Sequence, residues 1–251
     1  MELNDSRIII TGAARGLGQA MAANLARAGA RLGLIDLDDA ALSRTVGELP
    51  GSGHDWAVAN VADEAAVVAA FDQFAGSLDR VDALINNAGI TRDGLLVKAR
   101  DGRIESRLSL EQWRQVMDVN LTGVFLCGRE AATRMIGGGT GGVIINIASI
   151  SKAGNFGQSN YSAAKAGVAA MAVTWSAELA RYGIRAVSVS PGFTRTELVA
   201  AMPEKAIDRI TSRIPAGRLA EPEEIAATIR FVLENDYVNG RDIAVDGGLR
   251  L

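Results

Sequence analysis

Three side chains in the middle of the chain have the types and spacing for acid–base chemistry. Tyr161 and Lys165 are four residues apart, so a helix that begins at Ser159, or one residue later, places them on one face. A lysine cation beside a phenol favours the phenolate and is expected to lower the tyrosine pKa from about 10. Ser149 follows the apolar run 143–148, and its hydroxyl can hold a carbonyl oxygen toward the phenol. Taken alone, the Tyr–Lys pair also fits an ordinary solvated helix surface.

A glycine-rich loop joins the first predicted strand to the first predicted helix. The strand is the β-branched run 7–11, and alanine and leucine at helical spacing follow the loop glycines Gly12, Gly16 and Gly18. Glycines let main-chain N–H groups approach a pyrophosphate, and the helix N-terminus adds its partial positive charge. The order of strand, loop and helix predicts a dinucleotide-binding loop, although its G-x3-G-x-G spacing is wider than the G-x-G-x-x-G fingerprint.

A carboxylate ends the second predicted strand, 31–36. Asp36 lies 24 residues after Gly12, where a carboxylate can accept both ribose hydroxyls of an adenosine. A helix cap or a loop position is the alternative, because Asp38 and Asp39 follow directly. We interpret Asp36 as the ribose-binding residue.

Strands and helices are predicted to alternate along the rest of the chain. Further strands are predicted at 56–60, 81–86, 143–148, 185–190 and 242–245, and helices at 38–49 and 64–77, with another starting at Pro222. This alternation predicts an α/β fold, a Rossmann-type doubly wound parallel sheet of about seven strands with helices on both faces. No linker, repeat or low-complexity segment divides the sequence, so a single domain over 1–251 is expected.

Two segments interrupt this pattern. The segment 91–108 is polar, and its centre, 100–103, predicts a hairpin with an Asp-Gly turn. It fits either a basic dock for a phosphate-bearing substrate or a solvated loop, and we favour the solvated loop. The segment 195–213 has few large apolar residues and is interpreted as a mobile substrate lid. The basic residues of the first segment include Lys98, Arg100, Arg103 and Arg107.

Two helices carry side chains that require partners. A long helix from Ser109 has Asn120 within an apolar stripe, so this asparagine is expected to have a buried hydrogen-bond partner. The helix of Tyr161 is apolar on nearly every side between 163 and 177, which indicates burial on more than one face. One face is expected to pack on the sheet and the other on a second subunit.

Composition excludes several classes of function. The formal charge of −3 argues against a nucleic-acid partner, for which a basic face is expected. His54 is the only histidine, so a multi-histidine metal site is impossible and no metal is expected. Cys127 is the only cysteine, which rules out an internal disulfide. The acidic N-terminus lacks a signal-peptide pattern and no apolar run reaches 18 residues, so a cytoplasmic protein without a membrane partner is expected.

Five separated motifs together resemble the short-chain dehydrogenase/reductase family over essentially the whole chain. They are Thr11-Gly12-x3-Gly16-x-Gly18, Asn86-Asn87-Ala88-Gly89, Asn120, Ser149 with Tyr161-x3-Lys165, and Pro191-Gly192. Within the family the chain is most similar to β-ketoacyl carrier-protein reductases, in the stretches 87–93, 119–125 and 214–219.

The resemblance implies a role for each catalytic candidate. Tyr161 would be the acid/base, Ser149 the substrate positioner, and Lys165 would hold the nicotinamide ribose while lowering the phenol pKa. Asn120 would anchor a water in a proton relay to Lys165. Homotetramers are usual in the family, which agrees with the doubly apolar helix. The expected cofactor contacts are Gly12, Arg15, Gly16, Leu17, Gly18, Asp36, Leu37, Asn60, Val61, Asn87, Ala88, Gly89, Tyr161, Lys165, Pro191, Gly192, Thr194 and Thr196.

Three departures from the carrier-protein reductases bear on cofactor and partner. Those reductases usually prefer NADPH and carry a basic residue just after the second strand, where this chain has Asp36 and Leu37, although Arg15 matches a basic position of NADP-binding members. A carboxylate about 4 Å from a 2′-phosphate costs on the order of 4 kcal/mol per charge pair, so NAD(H) is the expected cofactor and NADP(H) the alternative. Asn60 stands where many relatives have an aspartate that accepts from the adenine amine. The glycine-rich run 137–142 replaces a loop that commonly carries Lys and Arg, which weakens the case for an acidic carrier protein.

Our leading hypothesis is an NAD(H)-dependent oxidoreductase that interconverts a secondary alcohol and a ketone, of the 3-oxoacyl reductase type. Its partners would be a small carbonyl or alcohol substrate, with an acyl thioester as one option, and its own copies in a homotetramer. A dehydrogenase of a sugar, polyol, cyclic alcohol or steroid is the alternative among enzymes. A non-catalytic NAD-binding scaffold is disfavoured, since it would not need the complete Asn-Ser-Tyr-Lys set.

Overall fold

A seven-stranded parallel β-sheet forms the centre of the computed structural model, which describes residues 1–200 and 203–251. The strands are β1 (Arg7–Thr11), β2 (Arg31–Asp36), β3 (Asp55–Val58), β4 (Ala83–Asn86), β5 (Val97–Arg100), β6 (Arg103–Arg107), β7 (Gly142–Ile147), β8 (Ile184–Pro191) and β9 (Asp242–Val245). Their order in the main sheet is β3-β2-β1-β4-β7-β8-β9, while β5 and β6 form a separate antiparallel hairpin. The predicted α/β doubly wound sheet is confirmed.

Helices cover both faces of this sheet. They are α1 (Gly16–Arg27), α2 (Asp39–Glu48), α3 (Glu64–Ser77), α4 (Leu110–Met117), α5 (Gly123–Gly138), α6 (Ser159–Glu178), α7 (Glu197–Ala200), α8 (Glu204–Thr211) and α9 (Pro222–Glu234). Side chains alternate along each strand, so Ile8 and Ile10 pack with α1 and α9, while Ile9 packs with α3 on the other face. Because strands of one sheet come from both halves of the chain, we infer that residues 1–251 form one domain.

The strand order reverses between β1 and β4, which are neighbours in the sheet. In doubly wound sheets the connections after two such strands run to opposite sides, which opens a crevice at their carboxyl ends. The glycine loop 12–18 follows β1, and the segment 87–90 follows β4. Both therefore meet at this crevice.

Some predicted boundaries differ from those observed. The third strand is Asp55–Val58, so Asn60 lies beyond it in a turn, and the fourth begins at Ala83 rather than at residue 81. The predicted long helix from Ser109 is interrupted by one π-helical turn, Asp118–Thr122, between α4 and α5. A π turn adds a residue locally and leaves the apolar pattern on both sides helical, so periodicity does not reveal it.

The two predicted interruptions are both structured. The hairpin is present, and Asp101 and Gly102 have φ angles of 51° and 74°, as a two-residue turn of this kind requires. The predicted lid, 195–213, contains α7 and α8, and its residues 201 and 202 lie outside the described part of the chain. Ile207 and Ile210 of α8 pack against a small apolar cluster of Ile214, Leu219 and Leu249. No helix in the described part is long and apolar enough to cross a bilayer.

Candidate active site

Ser149, Tyr161 and Lys165 line one cavity of about 320 Å³. Ser149 lies two residues after the end of β7 and caps the short 3-10 turn Ile150–Ala153, while the other two lie in the first two turns of α6. Asn160 fixes the start of α6, because its Nδ2 donates to the main-chain oxygens of Arg92 (3.0 Å) and Gln112 (3.2 Å). The structure therefore brings the three predicted side chains together at the carboxyl end of the sheet.

Lys165 is almost completely buried, with 3% of its surface exposed. Its Nζ donates to the main-chain oxygen of Ile147 at 2.6 Å and lies 5.7 Å from the centre of the Tyr161 ring. Within the described residues no carboxylate forms an ion pair with it. Burial disfavours the cation and lowers the Lys165 pKa to about 8. This amine can therefore take up and release a proton near physiological pH.

The Tyr161 phenol does not have the lowered pKa that the sequence predicted. Burial is the largest influence and raises the pKa, the Ser149 side chain opposes it through hydrogen bonding, and the charge of Asp93 adds to the rise. Lys165 does not counteract this because its amine is directed to the main chain of Ile147 and its own cation is disfavoured. At neutral pH the phenol is protonated, which suits donation of a proton to a carbonyl oxygen.

Asn120 lies in the π-helical turn and is fully buried. Its Oδ1 accepts from the main-chain N–H of Ile90 at 2.8 Å, and its Nδ2 donates to the oxygen of the same residue at 2.9 Å. The expected buried partner is thereby confirmed. Asn120 holds the segment after β4 in place, and π turns inside helices are frequent at functional sites.

A second groove, of about 360 Å³, continues from the first cavity. A methyl group on Gly12 would lie 2.8 Å from the Cα of Ala88, and one on Gly18 only 2.1 Å from the oxygen of Gly12. The glycine loop is therefore packed against the chain after β4 as closely as backbone allows. Residues that line both cavities are Leu17, Asn87, Gly89, Ile90 and Thr196.

Hydrogen bonds join the two loops that border this groove. The Thr11 hydroxyl accepts from the N–H groups of Asn87 (3.0 Å) and Ala88 (3.1 Å). The Asn87 amide donates in return to the oxygens of Thr11 (3.1 Å) and Gly12 (2.9 Å). These hydrogen bonds hold the two loops together and leave the outer surface of the glycine loop open. The residues that line the groove therefore fit an elongated dinucleotide bound along the crevice.

Asp36 lies at the far end of the groove beside exposed Leu37. Its Oδ2 accepts from the N–H of Ala14 at 3.1 Å, and its Oδ1 from that of Leu37 at 2.7 Å. Each carboxylate oxygen has a second acceptor site, which leaves two for the hydroxyls of a ribose. Asn60 also lines the groove, and its Oδ1 already accepts from Ala62 N–H at 3.0 Å.

The other predicted contacts are also found around these two cavities. Pro191, Gly192 and Thr194 line the first cavity, and a methyl group on Gly192 would lie 2.8 Å from the Cα of Asp246. Arg15, Val61 and Ala88 line the second. Of the predicted cofactor contacts, only Gly16 and Gly18 line neither. Gly18 is packed beneath the loop, whereas Gly16 has a left-handed φ of 58°.

Sequence reasoning missed one polar wall of the first cavity. Gln158 connects the polar groups of this wall. The Gln158 Oε1 accepts from the Ser151 hydroxyl (3.1 Å) and from the Asn155 amide (2.9 Å). Its Nε2 donates to the Asp93 carboxylate at 3.0 Å. Asp93 is 65 residues away, so nothing local in the sequence reveals this contact. Ser151, Asn155 and Gln158 all face the cavity.

A second missed group supports the turn that carries Ser149. Lys152 forms an ion pair with Asp242 at 2.8 Å and donates to the Ser190 hydroxyl at 2.9 Å. The hydroxyls of Ser188 and Ser190 donate to the same carboxylate at 2.6 and 2.7 Å. Through the N–H of Ser151, which donates to Ser149 Oγ at 3.1 Å, this turn orients the Ser149 hydroxyl.

The described part of the chain holds no cluster of three or more His, Cys, Asp or Glu side chains able to bind a metal.

Comparison with known proteins identifies the family of the chain. A family model described as enoyl-(acyl carrier protein) reductase matches residues 12–250. The chain belongs to the short-chain dehydrogenase/reductase family. It is an oxidoreductase that interconverts a secondary alcohol and a ketone, with a cofactor of the nicotinamide type.

Individual relatives match over nearly their whole length. A 3-oxoacyl-[acyl-carrier-protein] reductase from Thermotoga maritima is 40% identical, with 99% of each chain covered. A (3R)-3-hydroxyacyl-CoA dehydrogenase from Canis lupus familiaris is 37% identical, over 99% of this chain and 98% of the relative. The solved structure of a proposed gluconate dehydrogenase from Agrobacterium tumefaciens has a TM-score of 0.89 at 35% identity, over 99% of this chain and 97% of the other.

Proposed function

We propose that the protein is an NAD(H)-dependent oxidoreductase that interconverts 3-oxoacyl and 3-hydroxyacyl thioesters. One observation carries the proposal: the protonated Tyr161 phenol and buried Lys165 lie with Ser149 in a cavity that continues into a groove ending at Asp36. The relatives named for 3-oxoacyl-carrier-protein and 3-hydroxyacyl-CoA chemistry support the choice of substrate class.

Each catalytic candidate has a defined task in this proposal. In the reductive direction Tyr161 donates its phenolic proton to the carbonyl oxygen, and in the oxidative direction it takes the proton back. Ser149 Oγ donates a hydrogen bond to the same oxygen and thereby orients it toward the phenol. The nicotinamide supplies or accepts the hydride when bound. Lys165 holds the ribose and, because its pKa is about 8, returns a proton to the phenol near neutral pH.

Asn120 contributes to this proton supply through its backbone in our proposal. Both polar groups of its side chain are engaged by Ile90. A water that links Lys165 to solvent would therefore be held by the main-chain carbonyl oxygen of Asn120. The π turn supports this role, because it removes the regular i to i−4 hydrogen bonds at this point of the helix.

NAD(H) is our proposed cofactor because the Asp36 carboxylate lines the groove in which the 2′-phosphate of NADP(H) would have to fit. The carboxylate would repel that phosphate, and the side chain of Leu37 offers it no hydrogen-bond donor. Arg15 also lines the groove and is the only argument from this chain for NADP(H), which keeps it as the weaker alternative. The remaining predicted contacts would bind the pyrophosphate and the nicotinamide half.

The remaining proposals concern assembly, the lid and location. We propose a homotetramer, because Phe125 on α5 and Val173 on α6 are 44% and 53% exposed. Light scattering should report about four chains, and a monomer would contradict the proposal.

We also propose that 195–213 closes over the substrate and that the protein works in the cytoplasm, where the buried thiol of Cys127 stays reduced.

A second candidate function is oxidation of a hydroxylated acid or polyol. The polar wall of Ser151, Asn155 and Gln158 favours it, because these groups can hydrogen-bond a substrate rich in hydroxyls. The likeness to a proposed gluconate dehydrogenase is a further argument.

A substrate panel separates the two candidates. Oxidation of NADH and of NADPH would be followed with acetoacetyl thioesters, cyclic ketones and keto sugars, and the reverse reaction with the matching alcohols. Our proposal expects the highest kcat/KM for a thioester with NADH. Higher kcat/KM for sugar acids or polyols would favour the second candidate, and turnover of no alcohol or ketone would contradict both.

A further inference from the structure

The β5–β6 hairpin stands away from the main sheet, with every residue of both strands exposed. Isolated two-stranded hairpins are only marginally stable. The presence of a fully exposed hairpin next to the substrate cavity therefore requires an explanation. Its base is tied to the cavity wall, since Gly94 N–H donates to Gly157 O at 2.8 Å and Asp93 accepts from Gln158. The hairpin therefore begins at the edge of the substrate cavity.

The two faces of the hairpin differ in chemistry. Arg100 and Arg103 are directly paired across the strands, so their side chains share one face, with Lys98 on the same side. The other face carries Val97, Ala99 and Ile104, of which Ile104 is 60% exposed. A basic face and an uncovered apolar face are thus combined on a single ribbon.

The Arg100–Arg103 pair is unfavourable in the free protein. Like charges directly opposite on a ribbon repel each other. Within the described residues Arg100 forms one ion pair, with Asp101 at 3.9 Å. Both side chains are more than 80% exposed, so this contact contributes little. Arg103 forms no ion pair within the described residues, whereas Lys98 pairs with Glu105 at 2.7 Å. The guanidinium groups of Arg100 and Arg103 therefore face solvent, and their mutual repulsion is offset only weakly.

We propose that Arg100 and Arg103 bind the phosphate groups of a coenzyme A thioester whose acyl group occupies the cavity. Guanidinium pairs suit phosphate because they donate two parallel hydrogen bonds. Arg100 is six residues after Gly94, and the last four of them form β5, so the hairpin can reach at most roughly 20 Å from Gly94. The pantetheine arm has the length of about five extended residues, or roughly 17 Å, so the reach of the hairpin matches it.

A small phosphate group fits the charge distribution better than an acidic protein. The segment 92–107 has five basic and three acidic side chains within a chain of net charge −3. A stable protein interface needs about 800 Å² on each partner, far more than one ribbon face. Helix α4, which follows the hairpin, carries Glu111 in its first turn, and a broad acidic surface that covered both elements would meet this carboxylate.

The proposal rests on the thioester function proposed above, and the test separates the two. The reduction of acetoacetyl-CoA is compared with that of acetoacetyl-N-acetylcysteamine, which has the same reacting group without phosphates. The variant is Arg100→Gln with Arg103→Gln. The matched control is Arg27→Gln with Arg181→Gln. Both arginines are exposed and line neither cavity; Arg27 ends α1 and Arg181 lies in the short turn after α6.

The variant should lose about tenfold in kcat/KM for acetoacetyl-CoA, mainly through KM, and be unchanged with the short thioester. Its melting temperature should not fall, because the repulsion is removed. Raising NaCl from about 50 to about 300 mM should raise KM for the CoA thioester in the unmodified protein only. Equal losses with both thioesters, or a change in oligomeric mass, would make the hairpin a structural or subunit contact and overturn the proposal.

A binding experiment tests the proposed phosphate site even if the protein reduces no thioester. Calorimetry with CoA, dephospho-CoA and pantetheine, on protein saturated with NADH, measures the phosphate contribution by itself. CoA binding that is lost in the hairpin variant would support the site even if the thioester function failed. Comparison with dephospho-CoA separates the contribution of the 3′-phosphate to binding from that of the pyrophosphate. Absence of CoA binding, or a larger loss with an acyl carrier protein thioester than with the CoA thioester, would overturn it.

Discussion

Replacing Lys165 by methionine should abolish turnover and also change how stability depends on pH. The folded state lowers the Lys165 pKa from 10.5 to about 8, so the unfolded chain binds this proton more tightly. The resulting destabilisation is fully present below pH 8. It declines as the pH rises from 8 towards 10.5 and is absent above that range. Methionine has no proton to bind, so the variant lacks this pH dependence.

The size of the effect follows from the two pKa values. At 1.36 kcal/mol per pH unit, the interval from 10.5 to about 8 corresponds to about 3 kcal/mol at pH 7. Linkage then predicts that the unmodified protein regains about 2 kcal/mol relative to Lys165→Met between pH 7 and about pH 9.5. Loss of the hydrogen bond to Ile147 should cost the variant about 1–3 kcal/mol at every pH, which leaves the pH-dependent part unaffected.

The assay is urea denaturation of both proteins without cofactor, at equal protein concentration and at the two pH values. The quantity of interest is the difference in unfolding free energy between variant and parent, because titrations of all other groups cancel in it. The same substitution at exposed Lys98 provides the matched control for the loss of a lysine side chain. A Lys165→Met difference that is equal at both pH values would refute the argument that burial disfavours this cation.

Four further predictions test the site. Tyr161→Phe should bind NADH within about twofold of the parent but turn over at least about 100-fold more slowly, because only the phenolic proton is removed; fluorescence titration and NADH oxidation measure both. The unmodified protein should prefer NADH over NADPH by about 100-fold in kcat/KM, and Asp36→Ala with Leu37→Arg should invert the preference; equal use of both cofactors by the parent would show the NAD assignment to be wrong. Gly18→Ala should weaken NADH binding at least about tenfold, since the added methyl group meets the oxygen of Gly12, and unchanged affinity in a titration would contradict this packing. Lys152→Met should lower kcat about tenfold without changing NADH affinity, because the turn that orients Ser149 loses its ion pair with Asp242. Lys152→Arg should restore the rate, and a normal kcat in Lys152→Met would show that Lys152 has no positioning role.

Several features of the fold could be predicted because they depend on residues close in the chain. The β-branched run 7–11, the glycines after it and the alanine-rich helix are neighbours, so strand, loop and helix follow from local preferences. The Asp101-Gly102 turn formed the predicted hairpin for the same reason, since both residues tolerate left-handed φ angles. Tyr161 and Lys165 share a face because four residues are about one helical turn.

Other features were decided only when distant segments packed together. The pKa of Tyr161 is raised rather than lowered, because burial and Asp93, 68 positions earlier in the sequence, outweigh anything its helix neighbour provides. Gln158 meets Asp93, 65 residues away, and Lys152 meets Asp242, 90 residues away. The π turn at Asn120 likewise coincides with the two hydrogen bonds between its side chain and Ile90. The sequence by itself determined which groups are available and on which elements they lie. Only the tertiary structure decided their solvation and their partners, because burial and charge–charge interactions depend on distances in space that sequence spacing does not encode.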